Sequence, residues 1–421
     1  MKKIATTLLC MLAVSLQGQV ATDSAWRQEV KTVQLYRTGA ELDFPVLTTG
    51  GGSTMTLEFD MLGAEAEALQ WRIVHCDRHW VPDGLEPYEF MAGFESGTLD
   101  DYAFSFTTRK DYVHYRATVP QGYAHFIHSG NYVLYVDDEN GATVLSRRFC
   151  VSEQALKVEA EVVRPFDGID IERRQEVDVR LWPTPGMRPD HISVTVQQNG
   201  RLDNSRTLPF ASYDGEAMAY RNRPENVFAG GNTFRFFDCS NLRAAIYNVA
   251  QVESYGGELF VLLRPEEDRS RKHFLSETTL NGGMKVNVWE RDNPRLEAEY
   301  VWVNFSLPMA QPMLEGSIYI VGALTDWKMD SASRMDYNPE YRAYTKRLLL
   351  KQGSYAYQLL VGNGNRRAGD GKGRAESGRT ATAALEGDHR ETPNRYTVFV
   401  YQSSPSDRAD RLLAVTRAGR E

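Results

Sequence analysis

Asn131-Tyr132-Val133-Leu134-Tyr135-Val136 alternates with a period of two, and Asp138-Glu139-Asn140-Gly141 separates it from a second apolar run, Thr143 to Val151. Successive side chains of a strand point to opposite faces, so the run reads as a strand. Asn-Gly supplies the positive φ angles of a tight hairpin turn. The stretch therefore predicts an antiparallel pair, and the same pattern recurs on both sides of it. Trp71-Arg72-Ile73-Val74 and Val113-His114-Tyr115-Arg116-Ala117 alternate; Asn199-Gly200 follows Ile192–Val196; Asn281-Gly282-Gly283 precedes Met284–Trp289. No long stretch has helical periodicity. Short strands with turn chemistry at this spacing predict an all-β chain of tandem immunoglobulin-like or early-set β-sandwiches. An aromatic share of 11% suits strands rather than helices.

A chain of 421 residues exceeds one core. Ser152-Glu153-Gln154 closes a first unit, and Arg291-Asp292-Asn293-Pro294 is a polar break before Ala298–Phe305 restarts the alternation. The expected domains are 26–153, 155–293 and 294–404, with a charged tail at 405–421. Residues 362–380 carry five basic and two acidic residues among glycines and read as an exposed loop able to steer a partner.

Residues 1–18 combine Lys2-Lys3, the apolar run Ile4–Leu16 and Gly18, the pattern of a secretory signal peptide too short to span a bilayer. Cys10 lacks the small preceding residues of a lipidation site. Loss of Lys2 and Lys3 takes the balance from 48 basic against 56 acidic to 46 against 56, or −10. That charge argues against nucleic acid as the partner. No later run is long enough for a transmembrane helix. Cys76, Cys150 and Cys239 are too few for a disulfide framework; buried thiols are expected, with a Cys76–Cys150 bridge left open.

The chemical motifs fail on geometry. His75-Cys76-Asp77-Arg78-His79 has metal-ligand composition, but residues four apart in a strand lie about 13 Å from each other, beyond one zinc ion. His125 and His128 read as a polar connection. Asp137–Gly141 resembles a calcium loop, yet alignment on Gly141 puts Val136 where the first carboxylate belongs. Gly369-Asp370-Gly371-Lys372-Gly373 lacks the hydroxyl residue of a phosphate loop. No nucleophile elbow or zinc-protease motif occurs. The expectation is a protein without catalytic, cofactor-binding or metal residues, not an enzyme.

In the third unit, Gly316–Trp327, Met335, Tyr344–Leu348 and Gly353-Ser354-Tyr355-Ala356-Tyr357 follow one another in a rhythm that resembles early-set sandwiches of the glycogen-binding type. Trp327 is expected in the sandwich core. An envelope glycan-binding protein is the alternative reading it suggests.

A wider resemblance spans residues 27–415. Its carriers are Val33–Gly39 with Phe44-Pro45-Val46, Ile73–Asp77 with Trp80, Tyr112–Tyr115, Ser129–Tyr132, Gln198–Arg201, Gly231–Asp238, the Gly322…Trp327 module, Tyr396–Tyr401 and Asp410-Arg411-Leu412. Together they resemble the plug-protein family of the Bacteroidota type IX secretion system. That resemblance implies a periplasmic protein at the inner face of the outer membrane. Its partner would be the giant β-barrel translocon (SprA/Sov type), whose opening it occludes when cargo is absent. It carries no residue-level site.

Overall fold

A computed structural model describes residues 19–166, 168, 170–277, 280–314, 316–362, 382–404 and 407–419. The signal-peptide expectation (1–18), the Gly369–Gly373 motif and all but Gly362 of the Arg-rich stretch lie outside the described residues.

The hairpin forms as read. Strands Gly130–Asp138 and Thr143–Ser152 pair antiparallel, with Tyr135 opposite Ser146. In the turn, Asp138 Oδ1 accepts the backbone N–H groups of Asn140 and Ala142, both at 2.9 Å, and Gly141 takes φ +78°. Leu69–Cys76 pairs on the other side of Gly130–Asp138, and Ser96–Thr98 forms that edge of the sheet. Tyr132, Leu134 and Val136 enter the core, whereas Val133 packs on the opposite face with Ala21 and Cys76. The facing sheet runs Val30–Arg37, Met55–Leu62, Tyr112–Val119, Asp101–Phe104. Between the sheets Phe59 stacks on Tyr115 at 5.2 Å and Tyr132 on Phe149 at 5.3 Å. Each fully buried aromatic of this kind contributes about 1.5–3 kcal/mol of transfer free energy.

The second sandwich departs from the expected boundaries. One sheet contains Lys157–Val163, Arg174–Trp182, Val227–Ala229, Ala217–Tyr220 and Ser212–Asp214. The other is Ser205–Leu208, Ile192–Gln198, Arg395–Gln402, Arg411–Gly419. Val194 lies opposite Val400, and Val398 opposite Thr416. So Arg395–Gln402 does not close the third domain, and residues 411–419 are a strand rather than a tail. Alternation marks both runs as strands but is blind to which distant strand completes the ladder.

The third sandwich is inserted between Ala229 and Arg395. Its sheets are Arg235–Asp238, Gly353–Gly362, Met284–Val286 with Ser317–Val321, and Val249–Tyr255, Glu258–Leu263, Tyr300–Pro308, Ala343–Lys351, Asp336–Asn338. The strands at 235–238, 249–263 and 284–286, expected in the middle domain, therefore belong here. Phe237, Phe305 and Tyr357 meet in its core with centroids 5.3–6.0 Å apart.

Candidate functional site

The sequence-flagged histidines and cysteines are structural. His75 Nδ1 lies 2.6 Å from Asp83 Oδ2, and Nε2 lies 3.3 Å from the Ser129 carbonyl. Burial pushes the Asp83 carboxyl up, but the hydrogen bond and charge of His75 together with backbone N–H groups outweigh this and the net shift is downward. His79 sits in a turn whose backbone N–H donates to Asp77 Oδ1. Among the described residues no cluster of three His, Cys, Asp or Glu is arranged to hold a metal ion. His125–Phe126 is not a polar connection but a short strand paired with Met91–Ala92.

Cys76 and Cys150 both lie opposite Asn131, on its two sides. Two strand spacings separate them by about 9–10 Å, too far for a disulfide, and all three described thiols are free and buried. Burial raises each thiol, that of Cys239 to about 12, which favours the protonated form.

Many of the remaining family motifs form seams between sandwiches. In the first–second seam, Asn131 Oδ1 accepts the Tyr401 hydroxyl at 2.9 Å and the Cys150 thiol at 3.2 Å. Asp410 receives the backbone N–H of Arg78 at 2.8 Å and its guanidinium at 3.0 Å. Phe44 packs edge-on against Trp80 and Phe399. The Ile73–Trp80, Asn131-Tyr132, Tyr396–Tyr401 and Asp410–Leu412 motifs thus meet along one joint.

The first–third seam centres on Asp60. Its Oδ2 takes the Lys351 ammonium and the Tyr300 hydroxyl, each at 2.6 Å, and His114 Nδ1 lies 2.7 Å from Oδ1. Lys351 also donates to the Arg295 carbonyl at 2.7 Å and lies 4.1 Å from the Tyr112 ring centre. A third cluster ties the strand at 235–238 to the return toward Arg395. Arg235 Nε donates to Glu386 at 2.9 Å, and Glu266, Arg269 and Tyr357 complete it. Burial works against the Asp60 and Glu386 carboxylates, but the facing cations outweigh it and both shift downward.

All three sandwiches line one cleft of about 240 Å³, floored by Leu35 and Phe44 from the first, Leu202 and Thr397 from the second, and Leu280 and Trp327 from the third. Trp327 is half-buried at this junction rather than deep in a sandwich. It stands edge-on to Phe234 at 6.0 Å, over Gly282, where a Cβ would lie 2.1 Å from the indole. The arginines here are engaged: Arg147 with Asp326, Arg148 with Asp23, Arg417 with Asp43, at 2.7–2.8 Å. Arg147–Asp326 and Arg417–Asp43 cross seams, so these paired charges help hold the domains together. These joints leave no local signal in the sequence, because each partner comes from a distant segment.

The fold and seams define a three-sandwich, all-β protein whose domains are joined by buried polar contacts. Residues 30–153 match the model of the type 9 secretion system plug protein 1st domain. By that match the first sandwich is similar to the first domain of type 9 secretion system plug proteins. The crystal structure of a hypothetical protein from Parabacteroides merdae superposes with a TM-score of 0.88 at 27% identity, covering 95% of this chain and 99% of that one. A biofilm associated protein B domain reaches a TM-score of only 0.15 at 7% identity, covering 94% of this chain and 86% of that one. No curated protein matches the sequence. Among the described residues no helix is long and apolar enough to cross a membrane.

Proposed function

We propose that this chain is a non-catalytic periplasmic plug, exported by the signal peptide at 1–18, that binds the giant outer-membrane β-barrel of the type IX system and occludes its periplasmic opening. The match of residues 30–153 to the plug-protein domain carries the reading. The seams support it. A plug must resist a pore as one body, and the buried Asp60–Lys351 pair ties the first sandwich to the third while Asn131–Tyr401 and Arg78–Asp410 tie it to the second. A compact chain of about 400 residues has a radius of gyration of about 21 Å, against about 14 Å for one 130-residue sandwich. Three locked domains therefore cover a far wider opening than the family-matched domain alone.

Purified tagged protein incubated with detergent-solubilised envelope tests this. Stoichiometric recovery of a giant outer-membrane barrel is expected; recovery of no barrel overturns the reading. The glycan-binding alternative loses its most specific feature, since Trp327 packs against Phe234 and Gly282 rather than forming part of a flat aromatic platform. Retention on a glucan column in the same experiment would restore it.

A further inference from the structure

Residues 79–108 contain six acidic residues (Asp83, Glu86, Glu89, Glu95, Asp100 and Asp101) and no Lys or Arg. This excursion joins the two sheets of the first sandwich, and its edge strands Ser96–Thr98 and Asp101–Phe104 lie on the same side, joined through buried Leu99. Beside the buried Phe90, Met91 and Leu99, five large aromatic side chains along it face outward. Tyr88 is 74% exposed and Phe94 70%, and Tyr102, Phe104 and Phe106 are exposed as well. Tyr123, 78% exposed, lies opposite Phe94 when the ladder pairing His125 with Ala92 and Phe126 with Met91 is continued. The ribbon is held from beneath. Phe90 and Phe126 are buried against Tyr132 at 5.6 and 5.0 Å, and Gly93 lets Ala124 approach so closely that a Cβ would lie 2.6 Å away.

Apolar side chains concentrated on a firmly held edge mark an interaction surface. The charge decides what it meets. Glu89 pairs with Arg408, but among the described residues Glu86, Glu95, Asp100 and Asp101 have no basic side chain within ion-pair distance. An uncompensated acidic rim repels anionic lipid and nucleic acid and favours a protein surface rimmed by Lys and Arg. We propose that this edge is the docking surface for a basic-rimmed apolar patch on the barrel's periplasmic side. The chemistry follows from the structure; the identity of the partner rests on the plug reading.

The experiment compares wild-type protein with Phe94→Ser/Tyr123→Ser and Glu95→Lys/Asp101→Lys in recovery of the barrel from solubilised envelope, at low and high salt. It is run alongside flotation with phosphatidylglycerol–phosphatidylethanolamine vesicles. Phe94, Tyr123 and Asp101 are exposed and Glu95 is half-buried with no basic partner among the described residues, so thermal midpoints should stay within about 2 °C of wild type. The aromatic variant should lose at least about tenfold in recovery at both salts, as truncation of interface anchors does. The charge-reversed variant should lose recovery at low salt, with the difference narrowing at high salt. Wild-type recovery matched by both variants overturns the docking surface and leaves the plug reading standing. No recovery by wild type overturns both. Vesicle flotation that the aromatic substitutions abolish overturns the inference in favour of a membrane surface.

Discussion

The Lys351 ammonium lies 2.6 Å from the Asp60 carboxylate across the first–third seam, and neither side chain is more than 2% exposed. An ion pair this deep is weak evidence for stability in itself, because desolvation offsets much of the attraction. Removing one partner is another matter. Lys351→Met should cost about 3–5 kcal/mol by taking the main counter-cation from a buried carboxylate. The double variant Asp60→Asn/Lys351→Met should recover part of that loss. Urea unfolding of both single variants and the double variant checks this.

The same carboxylate sets an acid limit. Burial raises its pKa, but Lys351 and His114 pull it below the ordinary value, and Glu386 is likewise lowered by Arg235 and Arg269. A depressed folded-state pKa adds stability above the unfolded value, and that stability is lost as pH falls through the folded one. The stability these two carboxylates contribute should therefore be constant above about pH 5 and fall away below about pH 4. Asp60→Asn should flatten that fall in a denaturation series across pH.

Asp178 carries the opposite sign. It lies opposite Glu161 in the ladder and two residues from Glu176, and burial followed by Glu176 raises it to about 6. The folded state holds this proton more tightly than the unfolded chain, so the ionised form is a penalty as pH rises through 6. Asp178→Asn should stabilise the protein at pH 7.5 by roughly 1 kcal/mol, discounted for solvent screening of a half-exposed group. At pH 5 the gain should be about half as large, because the penalty builds from the unfolded value of about 4 up to about 6. Thermal midpoints at the two pH values decide.

Gly130 has φ +149°, and a Cβ there would lie 2.3 Å from His75 Nε2. Gly130→Ala should cost roughly 2–3 kcal/mol by combining backbone strain with a clash inside the Asp83–His75–Ser129 chain. Gly141 also has a positive φ but faces open space. Gly141→Ala should cost only about 1 kcal/mol. The difference between the two variants isolates the clash.

A chain ending at residue 404 should not fold its second sandwich. Leu412, Leu413 and Ala414 of the last strand are at most 2% exposed, and each buried leucine alone is worth about 2–5 kcal/mol against a total of about 5–15. Loss of soluble protein, or a far-ultraviolet spectrum missing more signal than one exposed strand supplies, is the expected result.

The parts of this fold that were legible in the sequence are local. The Asn131–Val136 alternation and Asn140-Gly141 fix a hairpin without outside help, because turn geometry and register are set within about twenty residues. Pairing of Val194 with Val400 is set across two hundred residues by an inserted domain, and alternation has no term for that. The seams were hidden for a related reason. Leu57-Glu58-Phe59-Asp60 has the pattern of a strand with one solvated face, yet Glu58 and Asp60 are buried under the third sandwich. The family motifs were visible as motifs, but their role as joints appears only once Asn131 and Tyr401 are brought together. The acidic, aromatic edge at 79–108 is countable in the sequence. That its aromatics face outward is not, because Phe90 and Phe94 look alike until one is seen to pack on Tyr132.

The central claim is occlusion, and conductance tests it most directly. The giant barrel, purified without this chain and reconstituted in a planar bilayer, is exposed to the protein on its periplasmic side. The account predicts a saturable fall in conductance that Lys351→Met, by loosening the body, weakens. Conductance unchanged at saturating protein, with binding confirmed in parallel, would contradict it.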